Sequence, residues 1–259
     1  MSDFLLETKN LTVRFGGLTA VEGLDFQVKK GQIVGLIGPN GAGKTTVFNM
    51  ITGVIPPTEG EIFFKGSGIV GVRPDRIARR GLSRTFQNIR LFEKISALEN
   101  IVITLQREPG YSLVEAFLRT KKVREIDTEI QKRAYDYLEL VGLREYADSV
   151  AGSLPYGLQR RLEIARALAT EPELLLLDEP AAGMNNEECD SLIDLIRNIH
   201  EKKGITIVLI EHHTDVVVNL SDEIYVLNLG KLLAHGDPHA VQTNEDVIRA
   251  YLGQGRKNK

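Results

Sequence analysis

From Phe4 to Val28 the chain runs in short alternating stretches, with Leu11, Val13 and Phe15 set against polar neighbours before the Gly16-Gly17 pair. A period of two marks half-buried strands and a glycine pair suits a tight turn, so this segment predicts edge strands. Gln32-Ile33-Val34-Gly35-Leu36-Ile37 is instead a compact apolar run that enters a glycine-rich loop, after which Thr45 to Met50 reads as helix. Pro56-Pro57 breaks the chain, and Glu61-Ile62-Phe63-Phe64 starts another short strand.

Between Asn88 and Ser153 the pattern turns helical and highly charged, as in Val123 to Val141, with a loop around Pro109-Gly110. This predicts a helical subdomain, residues 88–153, inserted into one domain spanning 1–259. A helix from Gln159 to Thr170, the apolar strand Leu174 to Leu177, a helix from Glu187 to Lys202 and the strand Ile205 to Ile210 follow. Strands alternating with helices predict a parallel, doubly wound α/β sheet. Short strands after Asp222 and a helix from Glu245 to Leu252 close the domain, and Gly253 to Lys259 reads as a polar tail. There is no internal repeat or low-complexity tract.

The 259 residues are 42% hydrophobic and 26% charged, which supplies a core and argues against disorder. A net charge of −3 gives no overall basic field to attract nucleic acid or anionic lipid. Cys189 is the single cysteine, so an intramolecular disulfide and a multi-cysteine metal site are excluded and a reducing, cytosolic setting is expected. Met1 to Glu7 lacks the basic start and apolar run of a signal peptide, and no run approaches the roughly 18 apolar residues of a membrane span. Action at a membrane would therefore go through a partner.

Gly38-Pro39-Asn40-Gly41-Ala42-Gly43-Lys44-Thr45 matches the phosphate-loop pattern at every fixed position and sits between an expected strand and an expected helix. Glycines let successive N–H groups turn toward phosphate oxygens, and the helix adds the positive end of its dipole. Lys44 is expected on the β/γ-phosphates and the Thr45 hydroxyl on Mg²⁺. Asp178-Glu179 ends the leucine strand, where parallel sheets deliver side chains to ligands. Asp178 is expected to hold Mg²⁺, and Glu179 to orient the attacking water and accept its proton. A GTPase reading lacks an Asn-Lys-x-Asp segment for guanine.

The loop, then Gln87, Leu154-Pro155-Tyr156-Gly157, Asp178-Glu179 and His212, follow in an order that resembles the ATP-binding subunits of ABC transporters, over nearly the whole chain. Three stretches are similar to the LivG-type subunits of branched-chain amino-acid importers. They are Arg84 to Phe92, Leu154 to Gly157 with Arg160 to Leu168, and Glu179 to Asn185. The resemblance implies the ABC ATPase fold: a P-loop NTPase core with a parallel sheet, an N-terminal antiparallel β-subdomain and the helical insertion. It implies a subunit that hydrolyses ATP with Mg²⁺ to power import. An importer of another small polar solute, of amide or urea type, and a non-transport ABC ATPase are the other readings.

The same resemblance implies residue roles. Gln87 reaches Mg²⁺ and the attacking water, and His212 contacts the γ-phosphate, while its neighbour His213 is exposed. Phe15 stacks on adenine with Val21 packing at its edge, and Asn40, Gly41, Ala42, Gly43, Lys44, Thr45 and Thr46 surround the phosphates. Glu179, His212, Gln87 and Lys44 form the catalytic set, and Thr45, Gln87 and Asp178 the metal set. Pro155, Tyr156, Gly157 and Leu158 form the signature that is offered to a nucleotide on a second subunit.

That signature departs from the general Leu-Ser-Gly-Gly-Gln form. Pro155 lacks both a hydroxyl and an N–H, and Leu158 stands where a glutamine is common even in the LivG-type group. Asn185 makes neutral a position that is charged in many relatives. Both departures fall on the surface expected to meet a partner, while the chain's own loop, Asp178, Glu179 and His212 are intact. The implied assembly is a head-to-tail pair with a second ABC ATPase subunit. A heterodimer with unequal sites is expected there, and a homodimer is open to the isolated chain. Two transmembrane permease subunits hold the pair at the cytoplasmic face of the membrane, with an indirect link to a solute-binding protein and none to nucleic acid.

Overall fold

The computed structural model describes residues 4–107 and 110–252. The polar tail from Gly253 to Lys259 and Pro109 of the expected loop lie outside the described residues. The chain begins with β1 (Phe4–Phe15), β2 (Leu18–Lys29), β3 (Ile33–Ile37), α1 (Lys44–Ile51), β4 (Glu59–Phe64), β5 (Ser67–Gly68), α2 (Pro74–Arg79) and β6 (Leu82–Arg84). Then come α3 (Ala97–Leu105), α4 (Leu113–Phe117), α5 (Lys121–Leu140) and α6 (Tyr156–Leu168). It closes with β7 (Leu174–Asp178), α7 (Asn186–Lys203), β8 (Thr206–Ile210), α8 (Thr214–Leu220), β9 (Glu223–Asn228), β10 (Lys231–Gly236), α9 (Pro238–Gln242) and α10 (Glu245–Leu252).

Two compact units share the chain, one made of residues 1–87 with 173–259 and the other of 88–172. The first contains a four-stranded antiparallel sheet in the order β2-β1-β4-β5 and a six-stranded sheet in the order β10-β9-β3-β8-β7-β6. In the larger sheet β9, β3, β8, β7 and β6 run parallel, and only β10 is antiparallel. Every residue of β3, β7 and β8 is buried, which is why these strands read as unbroken apolar runs instead of alternating ones. Phe26, Phe48, Phe64, Leu176 and Val208 join both sheets and α1 in one apolar core. Gly35 leaves room for α8 on β3, since a Cβ there would lie 2.5 Å from Val217 and 2.9 Å from the Ser221 hydroxyl.

β1 is not an edge strand as expected; it lies between β2 and β4 and pairs with both. Alternation marks one polar face of a strand, and says nothing of how many neighbours it has. β6 and α2 carried no visible pattern, being only 3 and 6 residues long.

In the second unit α3 packs against α5 and α6, and α5 against α6. Ser96 and Glu99 form a reciprocal capping box at the start of α3. Arg160 on α6 is buried, pairs with Glu163 at 2.8 Å and lies over the Tyr156 ring. The unit extends to Pro172, beyond the expected limit at Ser153, because α6 packs on α3 and α5 and belongs with them.

Candidate functional site

The phosphate loop leaves the end of β3 and enters α1. At Gly38 φ is +149° and a Cβ would lie 2.1 Å from the Leu227 carbonyl oxygen; at Gly43 φ is +103° and a Cβ would lie 2.6 Å from the Ala20 oxygen. Only glycine fits either position, so the backbone closes into a cradle. The buried Lys44 ammonium donates to the carbonyls of Gly38 at 2.7 Å and Pro39 at 3.1 Å. Burial lowers its pKa, while Glu179 and Asp178 pull the other way by favouring the charged form.

A cavity of about 350 Å³ opens over this cradle. It is lined by the loop residues Asn40 to Thr46 together with Leu18, Thr19, Ala20, Glu179, His212, Leu229 and Gly230. The size is that of a small-molecule site, and the residues expected around the phosphates are among those that line it.

Glu179 follows the last residue of β7 with φ of +48°, a left-handed conformation that is rare for a side chain of this size. Its N–H donates to the Ile210 carbonyl at 2.9 Å. Gln87 Nε2 donates to one carboxylate oxygen at 2.8 Å, and His212 Nε2 lies 2.9 Å from the other. Gln87 and His212, far apart in the sequence, thus meet on the Glu179 carboxylate. His213 is exposed and starts α8.

Asp178 is held from below by a residue whose role the sequence did not reveal. Arg84 Nη2 donates to Asp178 Oδ2 at 2.7 Å, and Nη1 donates to Asn49 Oδ1 on α1 at 2.7 Å. The guanidinium lies 5.4 Å from the Phe48 ring centre and 5.3 Å from that of Phe86. Thr45, Asp178 and Gln87 offer a hydroxyl, a carboxylate and an amide oxygen, a hard donor set that suits Mg²⁺. Among the described residues no group of three or more His, Cys, Asp or Glu is placed to hold a metal.

One expectation is corrected. Val21 is 0% exposed and stands behind Gly43, where it supports the loop from the core and cannot pack on a base. Asn185 is the N-cap of α7, its side chain accepting from the Glu188 N–H at 3.0 Å in a reciprocal capping box. Its neutral amide therefore has a local use. Phe15 is 48% exposed at the end of β1 and pairs in register with Leu18, which lines the cavity. In the second unit Pro155 is the N-cap of α6 without a side-chain cap, Tyr156 is exposed with its hydroxyl accepting from Arg160, and Gly157 and Leu158 are half-buried.

The Arg84–Asp178 side chains are only 6% and 2% exposed, so removing one partner leaves a buried charge poorly compensated. Arg84→Met is expected to lower unfolding free energy by about 3–5 kcal/mol, read as a lower urea midpoint. A midpoint equal to that of the unaltered chain would refute this account of the pair.

Residues 21–182 match the family model for the ABC transporter, and residues 231–257 match that for the branched-chain amino acid ATP-binding cassette transporter. The chain is 46% identical over 254 residues to the high-affinity branched-chain amino acid transport ATP-binding protein BraF of Pseudomonas aeruginosa, covering 98% of this chain and 100% of that one. Identity and coverage are the same, 46% over 254 residues with 98% and 100%, for the transport ATP-binding protein LivG of Escherichia coli. A solved ATP-binding cassette of an ABC transporter, in its ADP conformation, superposes with a TM-score of 0.83 at 31% identity over 97% of this chain and 100% of that one. Likeness of this degree along nearly the full length, with a nucleotide cradle to match, makes the chain a member of the ABC transporter ATP-binding family.

Proposed function

We propose that this chain binds ATP over the Gly38–Thr45 loop, hydrolyses it, and thereby powers an importer of branched-chain amino acids. The observation that carries hydrolysis is the Glu179 carboxylate, held at one oxygen by Gln87 and at the other by His212 beside the cavity. A carboxylate so fixed orients a water for in-line attack on the γ-phosphate and takes its proton. Lys44 exchanges its loop carbonyls for the β- and γ-phosphate oxygens. His212, on the opposite side of the base from Gln87, contacts the γ-phosphate. Phe15, exposed beside Leu18, stacks on adenine without reading its edges. Mg²⁺, held by Thr45, Asp178 and Gln87, would neutralise phosphate charge.

A second ABC ATPase subunit completes each site head to tail, with Pro155 to Leu158 offered to the nucleotide of the partner. Because Pro155 has no N–H to give, that donation is weak, and the pair is a heterodimer with unequal sites. Among the described residues no helix is long and apolar enough to cross a membrane. Membership of the ABC transporter family supports two permease subunits that carry the solute and hold the chain at the cytoplasmic face, with a solute-binding protein acting through them. Branched-chain amino acids as the solute rest on the matched C-terminal family model and on the names of the relatives.

Glu179→Gln should keep ATP affinity within about threefold while turnover falls by about 10²-fold or more, the range for losing a general base. Turnover near the original rate would move the base elsewhere. For the unequal pair, ATP turnover per site is compared between the isolated chain and its mixture with the second cassette; equal rates in both would count against asymmetry. Cells lacking this chain should lose uptake of radiolabelled leucine, isoleucine and valine, and retained uptake of all three would refute the solute assignment.

A further inference from the structure

One buried carboxylate beside the site has no part in the chemistry above. Glu211 directly follows β8 and is 1% exposed. Its Oε1 accepts the Ala181 N–H at 2.6 Å and its Oε2 accepts the His212 N–H at 3.1 Å. Burial pushes its pKa up, and the N–H groups of Ala181, His212 and His213 oppose that shift by favouring the carboxylate. A buried ionised group is unfavourable unless well bonded, so its two-sided bonding needs a reason.

Glu179 lies between two ties to the end of β8. On one side its own N–H bonds to the Ile210 carbonyl at 2.9 Å; on the other, two residues on, Ala181 bonds to Glu211. The turn itself closes through the Ala182 N–H to the Glu179 carbonyl at 3.1 Å. The same carboxylate that grips Ala181 also grips the backbone of His212, whose ring lies 2.9 Å from Glu179. We propose that Glu211 is a positioning residue for ATP hydrolysis: it clamps the turn bearing Glu179 to the backbone of His212 and so sets the geometry between base and histidine. This rests on the reading of Glu179 as the base.

Glutamine at 211 would keep the volume, yet turn an NH₂ toward N–H donors that the carboxylate accepts from. The full chain is compared with its Glu211→Gln and Glu179→Gln variants for ATP turnover, KM, urea midpoint and amide hydrogen exchange. Glu211 does not line the cavity, so E211Q should leave KM for ATP within about twofold while kcat falls about tenfold or more. The Ala181 amide should exchange faster in E211Q. An unchanged kcat overturns the proposal, as does a lower urea midpoint with normal kcat in the folded protein, which would make Glu211 purely structural. If E211Q does not fold, Glu211→Asp, which keeps the charge and loses reach, is read by the same criteria. Should E179Q turn over ATP as fast as the unaltered chain, the base assignment itself fails, and the clamp falls with it whatever E211Q shows.

Discussion

The parallel hydrogen-bond ladder around β3 is the constraint from which the site follows. β3 bonds to β8 on one edge and β9 on the other, with Leu36 opposite Ile210 and Ile37 opposite Val226, while Asp178 of β7 stands opposite Ile210. Parallel strands in register end on one edge of the sheet, so residues that follow them emerge side by side. Gly38 follows β3, Glu179 follows β7, Glu211 and His212 follow β8, and Leu229 follows β9. The cavity is the place where those four continuations meet. Main-chain bonds finish it, the Gly230 N–H reaching the Ala42 carbonyl at 3.1 Å and the Glu22 N–H reaching Gly230 at 2.8 Å.

Behind the cavity the structure manages charge inside an apolar layer. Lys44, Asp178 and Glu211 are all buried, and each has near partners: loop carbonyls for Lys44, Arg84 for Asp178, and N–H groups for Glu211. Such bonds offset the loss of water without making the pair a large source of stability. Their value is directional. Arg84 reaches α1 through Asn49 and β7 through Asp178, so the helix after the phosphate loop and the strand bearing the acid are referred to one guanidinium. Within the second unit Arg160 and Glu163 follow the same rule at the start of α6.

Much of this was legible in the sequence wherever neighbours along the chain decide the structure. The apolar runs Ile33 to Ile37 and Leu174 to Leu177, the loop glycines and the helix between Glu187 and Lys202 announced themselves by local pattern. Arg84 did not, because its partner Asp178 is 94 positions away and an arginine before a loop ordinarily looks solvated. Glu211 was masked differently: it shares with Asp178-Glu179 the pattern of an acid ending an apolar strand, but its partner Ala181 lies 30 positions away. Val21 misled because its position along the chain says how near the loop it lies and not on which side. Gln87 and His212 came from family resemblance, since only folding brings them onto Glu179.

The backbone of Glu179 has a consequence for how this site persists. A left-handed φ of +48° suits glycine, and holding a glutamate there stores about 1–3 kcal/mol of conformational free energy. Replacement by glycine would relax the turn and remove the carboxylate. Main-chain and carboxylate ties on both sides of the turn hold glutamate in this conformation. At Glu179, backbone ease and the presence of a carboxylate pull in opposite directions.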